Sequence, residues 1–344
     1  MDIKSNLYWF LGYKCGPFIQ SLRKSNSDAL AIVMIHGVHS TDMTASGPPP
    51  GSSRSVTNFE TNLRALAKLY TCISMDEAIE MLTNRKSWRK RCIVLTFDDS
   101  LKCIADVALP VLVKLGLTAT FYISTEAIDN QKPYWWMRLE YAVAHAKRPS
   151  CEVELPLRPP LLFEVKRSQH AKQEIKAALG DALPQDREKV IQSIESGLGA
   201  SLLTGTATYP YGDVMNWDDV RRLQSFGMTI GSHTVTHPNM NLLTSSELYM
   251  ELEESRKRLE TECQGPCRHL CYPTGFHSTA VIDATRVCGY TSAVTTSAGW
   301  NDLQTNVFGL RRFAMPEEAY KLPYLLSGAD EFIQKFRSEE RSSG

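Results

Sequence analysis

The sequence predicts an α/β chain, a (β/α) barrel of about seven parallel strands interrupted by one helical insertion. Three observations lead there. Short continuous apolar runs rich in Val, Ile and Phe recur along the chain, as strands covered on both faces require. Segments of helical periodicity alternate with them, which demands parallel strands joined by external crossovers. About seven such units at roughly 30 residues each suit a closed barrel better than an open sheet. Periodicity alone leaves a doubly wound sheet open.

The elements follow in order. Residues 1–28 read as an appendage, whose cluster Tyr8, Trp9 and Phe10 packs onto the domain or, as the weaker alternative, touches a membrane surface. The first strand is AIVMIHGV (31–38), and the Ser-, Pro- and Gly-rich residues 39–56 form a loop. Phe59 to Leu69 carries apolar residues at helical spacing, and Ser74 with Glu77 makes a capping box that opens SMDEAIEML. The strand CIVLTF (92–97) ends in Asp98-Asp99-Ser100. A helix bearing Leu109, Val111, Leu112 and Leu115 runs to Gly116, and the strand ATFYIS (119–124) follows.

Residues 126–205 differ in character. An aromatic opening, PYWWMRLEYAV, leads into a charged helical stretch with little strand signal, so this segment reads as a helical insertion. The alternation resumes at Asn216, an N-cap for WDDVRRLQSFG, with Gly227 as the stop. The strand MTIGS, the loop HTVTHPNMN and a helix capped by Thr244 and Glu247 follow. HLCYP (269–273), a helix around Val281–Cys288, TSAVTT (291–296) and LRRFAM (310–315) complete a barrel spanning 29–320, and 321–344 form a C-terminal helix and tail.

Composition narrows the function by exclusion. The formal net charge is zero, with 38 residues of each sign, so nothing global argues for nucleic acid or an anionic membrane. The nine cysteines, Cys15, Cys72, Cys92, Cys103, Cys151, Cys263, Cys267, Cys271 and Cys288, are odd in number and scattered, which reads as reduced thiols in a cytoplasmic protein. No apolar stretch approaches the roughly 20 residues of a membrane span, and the start lacks a signal-peptide pattern. Function must reside in a site.

Two motifs carry the chemistry. Asp98 and Asp99 are adjacent carboxylates at a strand end, expected to point in opposite directions because strand side chains alternate. One can bind a metal while the other faces substrate or water; by themselves the two read more simply as a helix cap. In Ser232-His233-Thr234-Val235-Thr236-His237-Pro238, the His-x-x-x-His spacing can place two imidazoles on one side of a short helical turn. Two His and one Asp, each after a separate strand, form an N2O donor set for one divalent cation. Zinc suits that set, and iron, cobalt and nickel are compatible with it.

Here the sequence resembles the polysaccharide deacetylases, carbohydrate esterase family four, with their NodB-homology domain. TFDDS (96–100) looks like the family's TFDD motif, residues 215–240 are similar to its metal-ligand block, and CYPTG (271–275) matches its third motif in a Tyr-Pro form. The resemblance covers roughly 30–315 and implies a distorted (β/α) barrel. It implies Asp99, His233 and His237 as metal ligands, Asp98 as general base, and the Thr274 backbone N–H as oxyanion donor. Many members carry an arginine that orients the catalytic aspartate where this chain has Cys271; Arg312 is the candidate substitute, or else a structural arginine. The family's late Leu-x-His acid motif is absent, since no histidine follows His277. A subgroup of permuted barrel order supplies that histidine from an N-terminal strand, which His36 matches as general acid, with His39 and His277 as weaker candidates.

The implied activity is N-deacetylation of an N-acetylated sugar, with an O-acetyl sugar esterase or a carbohydrate-binding pseudoenzyme as alternatives. Tyr134, Trp135 and Trp136 read as the anchor of the inserted helix or as a stacking platform for sugar rings. Cys267, His269 and Cys271 alternate along one strand face and read as packed residues rather than a second metal site.

Overall fold

A computed structural model describes residues 29–40, 53–84, 88–89, 91–156, 158–204, 211–318 and 321–327. The appendage at 1–28 with its aromatic cluster and Cys15, most of the 39–56 loop, and the tail beyond 327 lie outside the described residues.

The apolar runs become strands because each buries both faces. One sheet contains β1 (Ala31–Ile35), β4 (Thr71–Cys72), β5 (Cys92–Phe97), β6 (Thr120–Ile123), β9 (Thr229–Ser232), β10 (His269–Cys271), β11 (Ser292–Val294) and β12 (Phe313–Ala314). Its order is β11-β10-β9-β6-β5-β1-β12, with β4 beside the start of β5. Every pairing is parallel. A further parallel bridge from Val294 to Leu310 brings β11 against the segment entering β12, so the path curls back on itself. The seven-strand path is a distorted (β/α) barrel.

Strand alternation sorts the side chains into two clusters. Ile32, Val94, Tyr122, Cys271, Val294 and Leu310 share one cluster with Met75, Ala78, Met81 and Leu82 of the helix Met75–Thr83. Val33, Ile35, Leu95, Phe97, Phe121 and Ile123 belong to a second cluster with Phe59, Leu63, Leu112, Val220 and Leu252 of the surrounding helices. That double coverage explains the continuous apolar reading of the strands. Capping boxes at Ser74–Glu77, Asn216–Asp219 and Thr244–Glu247 start three helices where the sequence places them.

Two elements differ from the sequence reading. The run 31–38 is not one strand: β1 ends at Ile35, and β2 (Gly37–His39) pairs instead with β3 (Ser53–Ser55). Apolar content cannot reveal a change of partner. The insertion, moreover, is not purely helical. Between the helices Trp135–Ala144 and Ser168–Gly180 lies an antiparallel hairpin of β7 (Ser150–Val153) and β8 (Leu161–Glu164). Its strands are four residues each and only half buried, too short for alternation to register. With the helix Pro184–Leu198 they close a separate core around Leu139, Val153, Phe163, Ile175, Leu179, Ile191 and Ile194.

Candidate metal centre

The strand ends set the site. The Asp98 N–H donates to the Ile35 carbonyl at 3.0 Å, tying the ends of β1 and β5 together. His36, the residue after β1, thereby lies with Nε2 4.0 Å from Asp98 Oδ2, its side chain 30% exposed. Asp98 itself is buried. Alternation along β5 turns Thr96 and Asp98 inward, and there both meet Arg312. The Arg312 guanidinium grips Asp98 with two bonds of 2.8 Å and donates to Thr96 Oγ1 at 3.0 Å and to the Thr295 carbonyl at 2.8 Å. It also lies 3.2 Å from Cys271 Sγ and 5.9 Å from the Tyr122 ring centroid. The arginine therefore reaches the aspartate from the β12 side while the smaller Cys271 leaves it room.

Asp99 departs from the strand pattern. Its φ of 74° breaks the extended chain, so the expected opposition of the two aspartates does not arise. Both carboxylates face His233, and each belongs with it to a group of potential ligand atoms lying within 4.8 Å of one another. His233 follows β9, donated into the ladder by its N–H to the Ile123 carbonyl at 2.8 Å. Its Nδ1 lies 2.8 Å from the Cys271 carbonyl. A carbonyl only accepts, so Nδ1 carries a proton, and Nε2 is the ring atom that faces Asp99. Asp99 Oδ1 lies 3.5 Å from His233 Nε2 and 3.6 Å from His237 Nε2.

The segment from 233 to 237 is a bent loop rather than the helical turn its spacing suggests, because Thr234 and His237 have φ values of 66° and 56°. The sequence reading also missed what pins it. Glu251, buried on the helix Ser245–Cys263, accepts from Val235 N (2.7 Å), Thr236 N (3.0 Å) and Thr236 Oγ1 (2.6 Å). Its one signal is a place on the helix face shared with Leu248, Leu252 and Ser255. Asp99 and Ser100, Thr234 and His237, and Thr274, spread over the three motif loops, all hold left-handed backbone that non-glycine residues adopt at a cost of about 1–3 kcal/mol each.

The donor set fits a divalent cation. Two ligand atoms about 2.1 Å from one tetrahedral ion lie roughly 3.4 Å apart, close to the separations between Asp99 and the imidazoles. His237 Nδ1 is buried with no partner among the described residues, so no hydrogen bond seen there fixes the ring's orientation. The second group, Asp98, His233 and Cys271, is less suited. Burial raises the Cys271 thiol despite the adjacent Arg312, and the guanidinium occupies the Asp98 carboxylate. No group of three donors containing Cys267 or His269 is found among the described residues.

Electrostatics favour ionised aspartates. Burial alone would raise Asp98, but the charge and hydrogen bonds of Arg312, aided by His233 and His36, hold it below the usual carboxylate range. Asp99 is also opposed by burial, yet His233 and His237 keep it well below that range. Burial pushes the His237 imidazole down, toward the neutral form a metal requires.

The other candidates fall outside this constellation. His39 is buried with Nδ1 2.9 Å from Ser53 Oγ, and His277 stacks on Tyr272 with Nδ1 3.0 Å from the Gly275 carbonyl. Thr274 is exposed in the turn after β10, with φ 61°. Tyr134 packs in the barrel's outer core, stacks on Trp136 and meets the His237 ring edge-on at 5.6 Å, while Trp135 packs on the insertion's core. These rings join the insertion to the loop that carries His237.

Comparison with known proteins follows the same outline. The family model described as polysaccharide deacetylase matches residues 85–182 and 190–293. A putative polysaccharide deacetylase, YxkH, of Bacillus subtilis is 25% identical over 95 residues, a match covering 28% of this chain and only 34% of that protein. The deacetylase PplD of Streptococcus pyogenes, solved in complex with acetate, superposes with a TM-score of 0.57 at 17% identity, covering 87% of this chain and 98% of that one. IcaB from Ammonifex degensii gives 0.56 at 14% identity, covering 87% and 97%.

Proposed function

This chain belongs to the polysaccharide deacetylase family, and we propose that it is a metal-dependent hydrolase that cleaves the acetamide of N-acetylated amino sugars to release acetate. One observation carries the reading: Asp99, His233 and His237 converge from two strand ends beside a second buried aspartate held ionised by Arg312. In this reading the three residues hold one divalent cation, zinc by preference, with iron, cobalt and nickel compatible. When bound, such a cation polarises the acetamide carbonyl and lowers the pKa of water toward about 7.

The chain's own groups do the rest. Asp98 takes the proton of the attacking water, and Arg312 fixes which carboxylate edge faces it. The Thr274 N–H donates to the developing oxyanion, on the family's pattern. His36, half-buried at the barrel mouth beside Asp98, protonates the departing amine.

The same reading keeps 29–320 as the catalytic barrel with 126–205 inserted, 1–28 as an appendage and 321–344 as a C-terminal helix and tail. The eight described cysteines are free thiols, which supports a cytoplasmic setting, and no described helix is long and apolar enough to cross a membrane. A sugar nucleotide, a lipid-linked intermediate or a small glycoside then suits the site better than an extracellular polymer.

The test is metal analysis of the purified protein, followed by acetate release from N-acetylglucosamine oligomers and N-acetylated sugar precursors with and without chelator. The expected result is about one divalent ion per chain and chelator-sensitive acetate release. Bound metal with no acetate from any N-acetylated sugar contradicts the proposal and favours a carbohydrate-binding role.

A further inference from the structure

The two imidazoles of the candidate centre are supported from different places. His233 is fixed by the barrel, through the Cys271 carbonyl on Nδ1 and the Ile123 carbonyl on its N–H. His237 Nδ1 has no partner among the described residues, and its carbonyl is met from the insertion. The group that meets it there is Arg187, in the first turn of the insertion helix Pro184–Leu198.

Arg187 is 4% exposed, and its hydrogen bonds all go to backbone carbonyls. Nη1 donates to the His237 carbonyl at 2.9 Å. Nε and Nη2 donate at 2.7 and 3.2 Å to the Leu179 and Gly180 carbonyls, at the end of the helix Ser168–Gly180. Asn239 adds a bond of 3.5 Å to the same Gly180 carbonyl. One guanidinium thus ties two insertion helices to the carbonyl of a residue whose left-handed backbone aims its ring at Asp99.

This is a costly way to build a helix end. A buried cation with no carboxylate hydrogen-bonded to it loses its hydration uncompensated, and burial lowers the Arg187 pKa to about 10 against the opposing charge of Asp181. The neighbouring arginine of the insertion is arranged otherwise. Arg138 is fully buried but engages Glu195 through two bonds and Glu188 through two more. The insertion therefore neutralises Arg138 within its own core and directs Arg187 outward, onto the metal-ligand loop. Tyr134 and Trp136 close the other side of the His237 ring, at centroid distances of 5.6 and 5.0 Å.

We propose that Arg187 is a positioning residue for the metal centre, through which the folded insertion sets the orientation of His237 and hence the cation affinity of the barrel. The proposal rests on the reading of Asp99, His233 and His237 as ligands. It makes the insertion part of the metal site's support as well as an addition to the barrel.

The experiment measures zinc affinity of the full chain by competition with a chromophoric chelator, and the visible absorption of the cobalt-loaded protein. Wild type is compared with R187M, R187K and I191A; Ile191 is fully buried in the insertion's core. Loss of an outer-shell partner typically weakens metal binding about 10–100-fold, and that range is expected for R187M, with an altered cobalt spectrum. R187K, which keeps the charge but not the planar fork, should recover part of the affinity. I191A should unfold more easily while holding zinc and cobalt as wild type does. Should R187M not fold, R187K alone must weaken zinc at least severalfold. Wild-type affinity in R187M or R187K overturns the proposal, as does an equal loss in I191A, which would assign the effect to general destabilisation. Absence of metal from the wild type would instead overturn the ligand assignment itself.

Discussion

The two corners of the candidate centre are built on different rules. At Asp98 the contacts come from the barrel strands and their ends: Arg312 before β12, itself braced by Thr96 on β5, Cys271 at the end of β10, and His36 after β1. These partners are locked by strand register, so one buried salt bridge is enough to fix the carboxylate. At His237 the barrel supplies only the incoming chain. The ring is oriented by a bent loop, by Glu251 on an outer helix and by Arg187 on the insertion. The barrel sets where Asp98 and Asp99 lie, and on the proposal above the surrounding helices would set how firmly a cation is held. Variation in an insertion of this kind can then tune metal affinity without touching a strand.

That contrast can be broken at several points. The largest effect is expected for Asp99→Ala, which removes the ligand common to both imidazoles; stoichiometric zinc and acetate release should both vanish, and retention of either would break the assignment. His36→Ala sharpens the roles at the Asp98 corner. Loss of a general acid costs about 10²–10⁴-fold, and amide hydrolysis should fall within that range, whereas hydrolysis of an O-acetyl ester persists because an alkoxide leaves more easily than an amide nitrogen. Equal losses on both substrates would remove His36 from the acid role.

Arg312→Met leaves Asp98 buried and unpaired. Such a charge destabilises by about 3–5 kcal/mol, measurable as a lower urea midpoint. In addition, the acid limb of the pH–rate profile should move to higher pH as the Asp98 carboxyl loses the charge that holds it down. An unmoved limb would reduce Arg312 to a structural residue.

The smallest effect is the pH dependence of the metal-free protein. Both aspartates have folded pKa values below their unfolded value of about 4. The stability they contribute is fully present above that value and is lost as pH falls through the lowered folded values. In chelator, the urea midpoint should therefore fall on acidification below pH about 4. A midpoint that rises there would contradict the depressed carboxylates.

Much of this was legible in the sequence, for reasons that also mark the limits. The parallel strands were readable because double burial makes them continuous apolar runs, and the helix caps at Ser74, Asn216 and Thr244 because their signals are local. Asp98, Asp99, His233 and His237 stand out because they interrupt or follow those runs, and Arg312 because it stands just before the last strand. Glu251 and Arg187 were not legible. Each sits among other charges on an amphipathic helix, and its burial depends on packing against a loop outside that helix, 15–16 residues away for Glu251 and 50 for Arg187. The hairpin of β7 and β8 was hidden by length, and the end of β1 at His36 by a change of strand partner that hydrophobicity does not encode. The conformation of Asp99 was unreadable too, since a positive φ at a non-glycine residue leaves no mark on composition.

The most direct measurement is a crystal structure of the zinc-loaded protein with anomalous scattering recorded at the zinc edge. The account expects one strong peak within about 2.0–2.2 Å of Asp99, His233 Nε2 and His237 Nε2, with Asp98 still paired to Arg312 beside it. A peak elsewhere, or zinc bound without Asp99, would contradict it.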